Sequence, residues 1–345
     1  MTRVGLVGLG AMGRNHLRLL SELEEVVLVA VCDQDGNATA GATRKYGVAG
    51  YRSWREMLDR EQMDAIVVAV PTGFHLEVGL AALDRGLHLL VEKPIAASLQ
   101  EGQALVDAAT RAGRLLAVGH VERFNPAVRE LQKRIAAGEI GRVFQVHARR
   151  EGPFPARIRD VGVVVDLATH DLDVMCHIVR SEVSRVYAET EQRIHTEHED
   201  MLNALLKFEG GAVGVLQVNW LTPAKIRELS VLGERGLFRV NYLTQELTYF
   251  KNAEVEGGWD AIRYLRSVSE GEVIRFPVIQ SEPLRLELLS FLQAVRAGGP
   301  VEVDGEAGLR ALHLALALVT SAGDSRLIGR DELSRTWAAR LQPVT

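Results

Sequence analysis

The first third of the chain is built from short runs that stay apolar on every side: Val4–Val7, Val26–Cys32, Ala65–Val70, Leu87–Val91 and Leu115–Val118. Each is rich in Val and Leu with little polar alternation, the pattern of strands covered on both faces of a parallel sheet. Helical periodicity fills the gaps, as in NHLRLLSEL (15–23) and HLEVGLAALDRG (75–86), the second stopped by Gly86 as a C-terminal cap. Strand and helix in repeated alternation predict a doubly wound α/β domain.

Past about Val121 the periodicity changes. RVFQVHARRE (142–151), RVYAETEQRI (185–194), MLNALLKFEGGAVGVLQVNW (201–220) and RELSVLGERGLFRVNY (227–242) alternate apolar and polar positions, and the Gly210-Gly211 pair marks a hairpin. They predict an α+β domain with an open, mostly antiparallel sheet, one face of which is left for a partner. Two helices are expected late in the chain, Pro283–Ala297 and Glu306–Ala322, separated by the turn GGPVEVDG. The predicted division is 1–122 and 123–345, with Pro126 as punctuation.

The 345 residues suffice for two cores, and a net charge of −5 gives no basic footprint for nucleic acid or an anionic membrane. No run approaches the roughly 18 apolar residues of a membrane helix, and the N-terminal run is too short for a signal peptide. With two cysteines, Cys32 and Cys176, each in an apolar segment, a structural disulfide is not expected and a cytoplasmic location is.

The chemistry starts at the first strand's end. VGLVGLGAMGRNH sets Gly8, Gly10 and Gly13 in a G-x-G-x-x-G run, with Ala11 and Met12 between, where a strand turns into a helix. Glycine closes such a turn and lets a pyrophosphate approach the backbone at the helix N-terminus. Asp33 ends the second strand about twenty residues on, where an acid accepts hydrogen bonds from a ribose. The reading is a Rossmann dinucleotide-binding domain. Asp33, Gln34 and Asp35 favour NAD over NADP, since two acids repel a 2′-phosphate, while Arg44 and Lys45 argue the other way; the fingerprint alone also admits FAD. In AVPTGFH, Pro71, Thr72 and His75 fall at the ligand edge of the sheet. Thr72 is equally suited to cap the following helix, and His75 to its first turn.

The next strand ends in Glu92, Lys93 and Pro94. Charge at the mouth of a buried strand is costly unless paired or at work. A solvated pair is the ordinary explanation, and the adjoining dinucleotide crevice argues against it for Lys93. With GLGAMG at 8–13, AVPT at 69–72, Glu92-Lys93-Pro94 and the D-x-x-x-H element of VVVDLATHDLDVM (Asp166 and His170), the chain resembles the Gfo/Idh/MocA oxidoreductases over essentially its whole length. That resemblance implies that Lys93 and His170 face the nicotinamide and the hydroxyl being oxidised, with Asp166 contacting the substrate or the histidine. It also implies that the second domain's open sheet pairs subunits into homodimers or homotetramers. Glu92 is a candidate at the cofactor site, balancing the Lys93 charge or holding the local backbone, and is equally suited to be a solvated strand-end residue. VGHVERFNPAV (118–128), with Arg123 and Asn125, is similar to the branch that oxidises the 3-hydroxyl of UDP-N-acetylglucosamine; short Arg and Asn loops recur in relatives acting on free sugars or inositols.

The residue chemistry agrees with a dehydrogenase. Oxidising a secondary alcohol needs a base within reach of the hydroxyl and positive charge for the developing alkoxide. Asp166 and His170, at i and i+4, share a helical face, and imidazole titrates near neutrality. Arg149, Arg150, Arg157 and Arg159 form a basic cluster suited to the diphosphate of a nucleotide sugar or to a uronate, Arg157 and Arg159 being the expected substrate contacts; for any one of them a solvated position on an edge strand or loop is the commoner explanation. Three other readings compete: a hydrolase or isomerase with tightly bound NAD, a non-catalytic NAD sensor, and a metal site drawn from Asp166, His170, Asp173, His177, His195, His198 and Asp200. The last lacks a Cys pair or zincin motif, and no metal is expected.

Overall fold

The five apolar runs fold as strands, and a sixth joins them: β1 (Thr2–Val7), β2 (Val26–Cys32), the additional β3 (Ala49–Tyr51), β4 (Ala65–Val68), β5 (His88–Glu92) and β6 (Leu116–Gly119). They form one sheet in the order β3-β2-β1-β4-β5-β6, with every pairing parallel. The central strands are sealed on both faces: Ala65, Ile66, Val67 and Val68 are each 0% exposed. Between the strands run α1 (Ala11–Glu22), α2 (Gly36–Tyr46), α3 (Trp54–Arg60), α4 (His75–Asp84) and α5 (Leu99–Ala112). Side-chain caps fix several starts, Asp35 accepting from Asn37 N and Ser98 from Glu101 N. Gly86, at φ +73°, follows α4 as its terminator. The three-residue β3 is too short to show in a hydropathy pattern.

This computed structural model describes residues 1–154, 162–194, 197–253 and 270–342. It divides into two compact units, one of Met1–Val121, Leu284–His313 and Ser334–Thr345, the other of Glu122–Pro283 and Leu314–Leu333. The continuous division at 122/123 expected from sequence is therefore corrected. Helix α6 (Pro126–Ala136) begins the second unit, with Asn125 capping it and Pro126 in its first turn. But α8 (Pro283–Ala297) returns to the first unit, because Leu284, Leu288, Phe291 and Leu292 pack into the cluster containing Leu6, Leu17 and Leu20. The following α9 (Gly305–Gly323) gives its first part to the first unit, and α10 (Arg330–Ala339) is likewise divided.

The second unit is one sheet of nine strands. In chain order they are β7 (Val143–Pro153), β8 (Val183–Glu191), β9 (Met201–Phe208), β10 (Val213–Asn219), β11 (Leu221–Gly233), β12 (Gly236–Asn241), β13 (Glu246–Asn252), β14 (Glu270–Phe276) and β15 (Ile328–Gly329). They lie in the order β14-β13-β12-β11-β7-β10-β9-β8-β15, antiparallel except where β7 runs beside β10. Alternation sorts the faces. Leu202, Ala204, Leu206 and Phe208 of β9 are buried in the core with α6 and α7 (Thr169–Val179), while Leu205 on the opposite face is 52% exposed. Among the described residues no helix is long and apolar enough to cross a membrane.

Candidate active site

β1 enters the first helix through a turn that only glycine can make. Gly8 has φ +97°, and a Cβ there would stand 2.3 Å from the Ala69 carbonyl oxygen; one on Gly13 would stand 1.9 Å from that of Gly8. In front of Gly10 there is open space, as a pyrophosphate approaching the N-terminus of α1 requires. Asp33 is tied to this turn, Oδ2 accepting from Leu9 N at 2.6 Å and Oδ1 from Asp35 N at 2.8 Å. A cavity of about 440 Å³ opens here, and Gly8, Gly10, Asp33, Gln34 and Pro71 line it. These residues fit a dinucleotide.

The sequence missed the far wall of that cavity, to which Arg52, Trp54 and Phe74 belong. No motif marks them, since they follow the inconspicuous β3 or sit in the short turn Thr72–Phe74. Cys32, also on the wall, has its thiol pushed up to about 12 by burial and by Asp33 beside it, so it stays neutral. Ala11, Met12, Gly13, Thr72 and His75 do not line the cavity. His75 is buried: Nδ1 lies 3.0 Å from the Pro94 carbonyl oxygen and Nε2 3.0 Å from that of Val70. Burial lowers its pKa, and the ring braces the two ligand-edge loops together.

At the end of β5, Glu92 is buried with its Oε1 2.7 Å from His16 Nε2 on α1, and its Oε2 accepts from Lys93 N at 3.3 Å. Gly119 on β6 makes room for it, since a Cβ there would lie 3.0 Å from Glu92 Oε2. Burial alone would raise the Glu92 pKa; the His16 hydrogen bond and charge, with the Lys93 charge, outweigh it and hold the carboxyl below the ordinary carboxylate value. Facing it from α8 is Glu287, 3% exposed, with neither carboxyl oxygen hydrogen-bonded. Burial first, and then the Glu92 charge, push the Glu287 pKa well above the ordinary value. The two carboxyls are thus shifted in opposite directions. Lys93 follows, half-buried, and the Lys93–Pro94 peptide is cis.

In the second unit Asp166 sits in a π-helical turn, Val164–Ala168, that runs straight into α7, and His170 occupies the first turn of α7; both are half-buried. Single π turns inside helices concentrate at functional sites. A frame of buried ion pairs fixes α7. Arg150 of β7 donates from Nε to Asp171 at 2.6 Å and from Nη2 at 3.1 Å, and from Nη1 to Glu122 at 2.9 Å. Burial would lower the Arg150 pKa, but Asp171 and Glu122 carry it above the ordinary arginine value.

Arg123 and Asn125, expected at the substrate, are engaged in the same frame. Arg123 forks onto the buried Asp173, with Nε 2.6 Å from Oδ2. Asn125 accepts from Ala127 N and donates to the Tyr242 carbonyl oxygen at 3.1 Å. Strand alternation separates Arg149, paired with Glu151 and half-exposed, from the buried Arg150. Arg157, Arg159 and His195 lie outside the described residues. Among those described, no three His, Cys, Asp or Glu side chains are grouped to hold a metal ion.

Residues 2–120 match the family described as "Oxidoreductase family, NAD-binding Rossmann fold", and residues 128–239 match "GFO/IDH/MocA C-terminal domain". The chain belongs to the GFO/IDH/MocA oxidoreductases. As in the family, its first domain binds NAD and the protein is an oxidoreductase. It is 28% identical to a UDP-N-acetylglucosamine 3-dehydrogenase of Acidithiobacillus ferrooxidans, over 91% of this chain and 95% of that protein. To a myo-inositol 2-dehydrogenase of Thermotoga maritima it is 25% identical, over 96% and 99%. Among solved structures of the GFO/IDH/MocA type, the Acidithiobacillus UDP-N-acetylglucosamine 3-dehydrogenase GnnA superposes with a TM-score of 0.81 at 25% identity, covering 96% of this chain and 99% of that one. The WlbA dehydrogenase of Bordetella pertussis, solved with NADH and UDP-GlcNAcA, gives 0.78 at 27% identity, covering 95% and 98%.

Proposed function

We propose that the protein oxidises a secondary hydroxyl of a sugar, and that the sugar is a nucleotide sugar such as UDP-N-acetylglucosamine, oxidised at C3. The observation that carries the reading is the environment of Lys93. Its neighbour Glu92 is turned inward onto His16, so Lys93 stands past the end of β5, at the edge where open α/β sheets bind ligands. Bound NAD supplies the hydride acceptor. Lys93 holds the reacting hydroxyl and stabilises the charge that develops on its oxygen. His170 takes the hydroxyl proton as general base, and Asp166 orients it. Arg157 and Arg159 contact the diphosphate, while Arg123 and Asn125 act through the frame under α7.

The nucleotide-sugar part is supported by the relative and the solved neighbour whose names carry UDP sugars. The inositol dehydrogenase keeps a neutral polyol in contention. The protein works in the cytoplasm as a homodimer or homotetramer, joined through the sheet face that exposes Leu205, Leu232 and Val273; a monomer by light scattering would refute that assembly. The deciding assay incubates the protein with NAD and a panel of UDP-N-acetylglucosamine, free N-acetylglucosamine, a uronate and myo-inositol. NADH released in proportion to UDP-N-acetylglucosamine supports the reading. A preference for myo-inositol would overturn the nucleotide-sugar assignment, and turnover without net NADH would replace the dehydrogenase by an isomerase or hydrolase.

A further inference from the structure

Two arginines stand opposite each other on neighbouring strands of the second sheet, Arg150 of β7 in register with Arg227 of β11. In-register residues point to the same face, here the one on which α7 packs. Adjacent guanidinium groups repel one another unless each has its own anion. Arg150 has two, Asp171 and Glu122, and Arg123 nearby has Asp173. Arg227 forms no ion pair with any described residue. Its Nη1 donates to the backbone carbonyls of Glu151 and Ile226, and its Nε and Nη2 have no acceptor among the described residues.

Among the described residues, the strand beside that side of the fork departs from its partner. β11 loses register with β7 between Leu221 and Ile226, so Thr222–Lys225 stand away from the partner strand, and Pro223, Ala224 and Lys225 are exposed. Bulges of this kind re-aim side chains beside functional sites. The Arg227 guanidinium lies against Gly152, both Nη atoms 3.8 Å from where a Cβ on that glycine would be. Burial and the charge of Arg150 lower the Arg227 pKa, with Asp171, Glu122 and then Asp166 acting against them. Arg227 is thus a half-buried cation with open donors among the described residues, in register with Arg150, whose partner Asp171 directly follows His170.

We propose that Arg227 is the anchor for an anionic group of the substrate, a phosphate or a carboxylate, held in fork geometry beside Asp166 and His170. The proposal rests on the reading that Asp166 and His170 face the substrate hydroxyl. An anchor that grips a remote anion equally in ground and transition states acts on KM and leaves kcat alone. Arginine suits this task better than lysine, because two parallel N–H groups meet two oxygens of one phosphate or carboxylate.

The test compares wild type with Arg227→Ala and Arg227→Lys, each with its thermal midpoint and its NAD affinity recorded. The substrates are UDP-N-acetylglucosamine, a free uronate and neutral myo-inositol, and UDP binding to the NAD-loaded protein is measured by calorimetry. For whichever anionic substrate the wild type oxidises, Arg227→Ala is expected to raise KM about tenfold or more with kcat nearly unchanged, and Arg227→Lys to fall between. Weakened UDP binding identifies the anion as phosphate; a KM effect confined to the uronate identifies it as carboxylate. An unchanged KM for the anionic substrate overturns the proposal, as does an equal rise for myo-inositol or a wild type that prefers the neutral polyol. If the wild type oxidises the uronate but not UDP-N-acetylglucosamine, the nucleotide-sugar reading fails while the uronate arm still tests Arg227. Should Arg227→Ala not fold, the KM ratio between anionic and neutral substrates in Arg227→Lys decides.

Discussion

His16 and Glu92 meet at 2.7 Å inside the first unit, the histidine fully buried and the carboxylate nearly so. The contact joins the helix that follows the glycine turn to the residue that precedes Lys93, so one buried pair ties the glycine turn to the end of β5. Removing a single partner of a buried pair strands the other. His16→Ala is expected to cost about 3–5 kcal/mol of stability, read as a lowered denaturant midpoint. The pH dependence follows from Glu92, whose pKa is lower folded than unfolded. Its contribution is present above the unfolded value of 4.5 and is lost as pH falls through the folded one. Wild type is expected to weaken below about pH 4.5 by more than Glu92→Gln does; parallel stability curves would refute the pairing.

Glu287 predicts the opposite sign. Its pKa is raised in the folded state, so stability is highest in acid, where folded and unfolded chains are both protonated. It falls as pH rises above the unfolded value, because only the unfolded chain ionises. Glu287→Gln keeps the shape and removes the titration. It is expected to raise the melting temperature at pH 8 by a few degrees, the shift that ~1 kcal/mol produces in a domain of this size, and to change it less at pH 5. Equal shifts at both pH values would show that Glu287 does not titrate in this range.

The proposal that Asp33 sets cofactor choice is tested directly, since its carboxylate is held by Leu9 N and Asp35 N at the cavity wall. Asp33→Ser combined with Gln34→Arg removes an acid that repels a 2′-phosphate and adds a guanidinium to bind one. The ratio of kcat/KM for NAD to that for NADP is expected to fall by at least about tenfold, the worth of one charge-assisted hydrogen bond. Initial rates with each cofactor measure it, and an unchanged ratio would move the discrimination to other residues, with Arg52 the first to examine.

The parts of this structure legible in the sequence are those in which one residue type answers one local demand. Gly8 and Gly13 had to be glycine because backbone oxygens stand where their Cβ atoms would go. The Gly210-Gly211 hairpin is local in the same way, with Phe208 N bonded to Ala212 O. What stayed hidden depends on contacts between distant segments. Helix α8 has the same apolar stripe whichever unit it joins, so its return to the first unit could not be read from periodicity. Arg123 and Asn125 sit in a loop that looks ready for a ligand, and only the buried Asp173 and the Tyr242 carbonyl, about 50 and 117 residues away, show what they hold. Arg227 lies in an ordinary alternating strand; its neighbour Arg150 and the register slip before it set it apart only in three dimensions.

The catalytic assignment makes the most direct prediction. Lys93 follows the inward-turned Glu92 at the ligand edge of the first sheet, and His170 begins the helix clamped by Arg150 and Arg123. Each is supported by a buried framework, so replacing its side chain should leave that framework standing. Lys93→Met and His170→Ala are each expected to lower kcat by about 10²- to 10⁴-fold, the usual worth of general acid–base help. NAD affinity, read by fluorescence titration, should change little, because the cavity proposed for NAD is lined by Gly8, Gly10 and Asp33 and not by either residue. If both variants keep near-normal turnover, the base and the hydroxyl-polarising group lie elsewhere; if only His170→Ala does, Asp166 becomes the base and the π turn that carries it the next target.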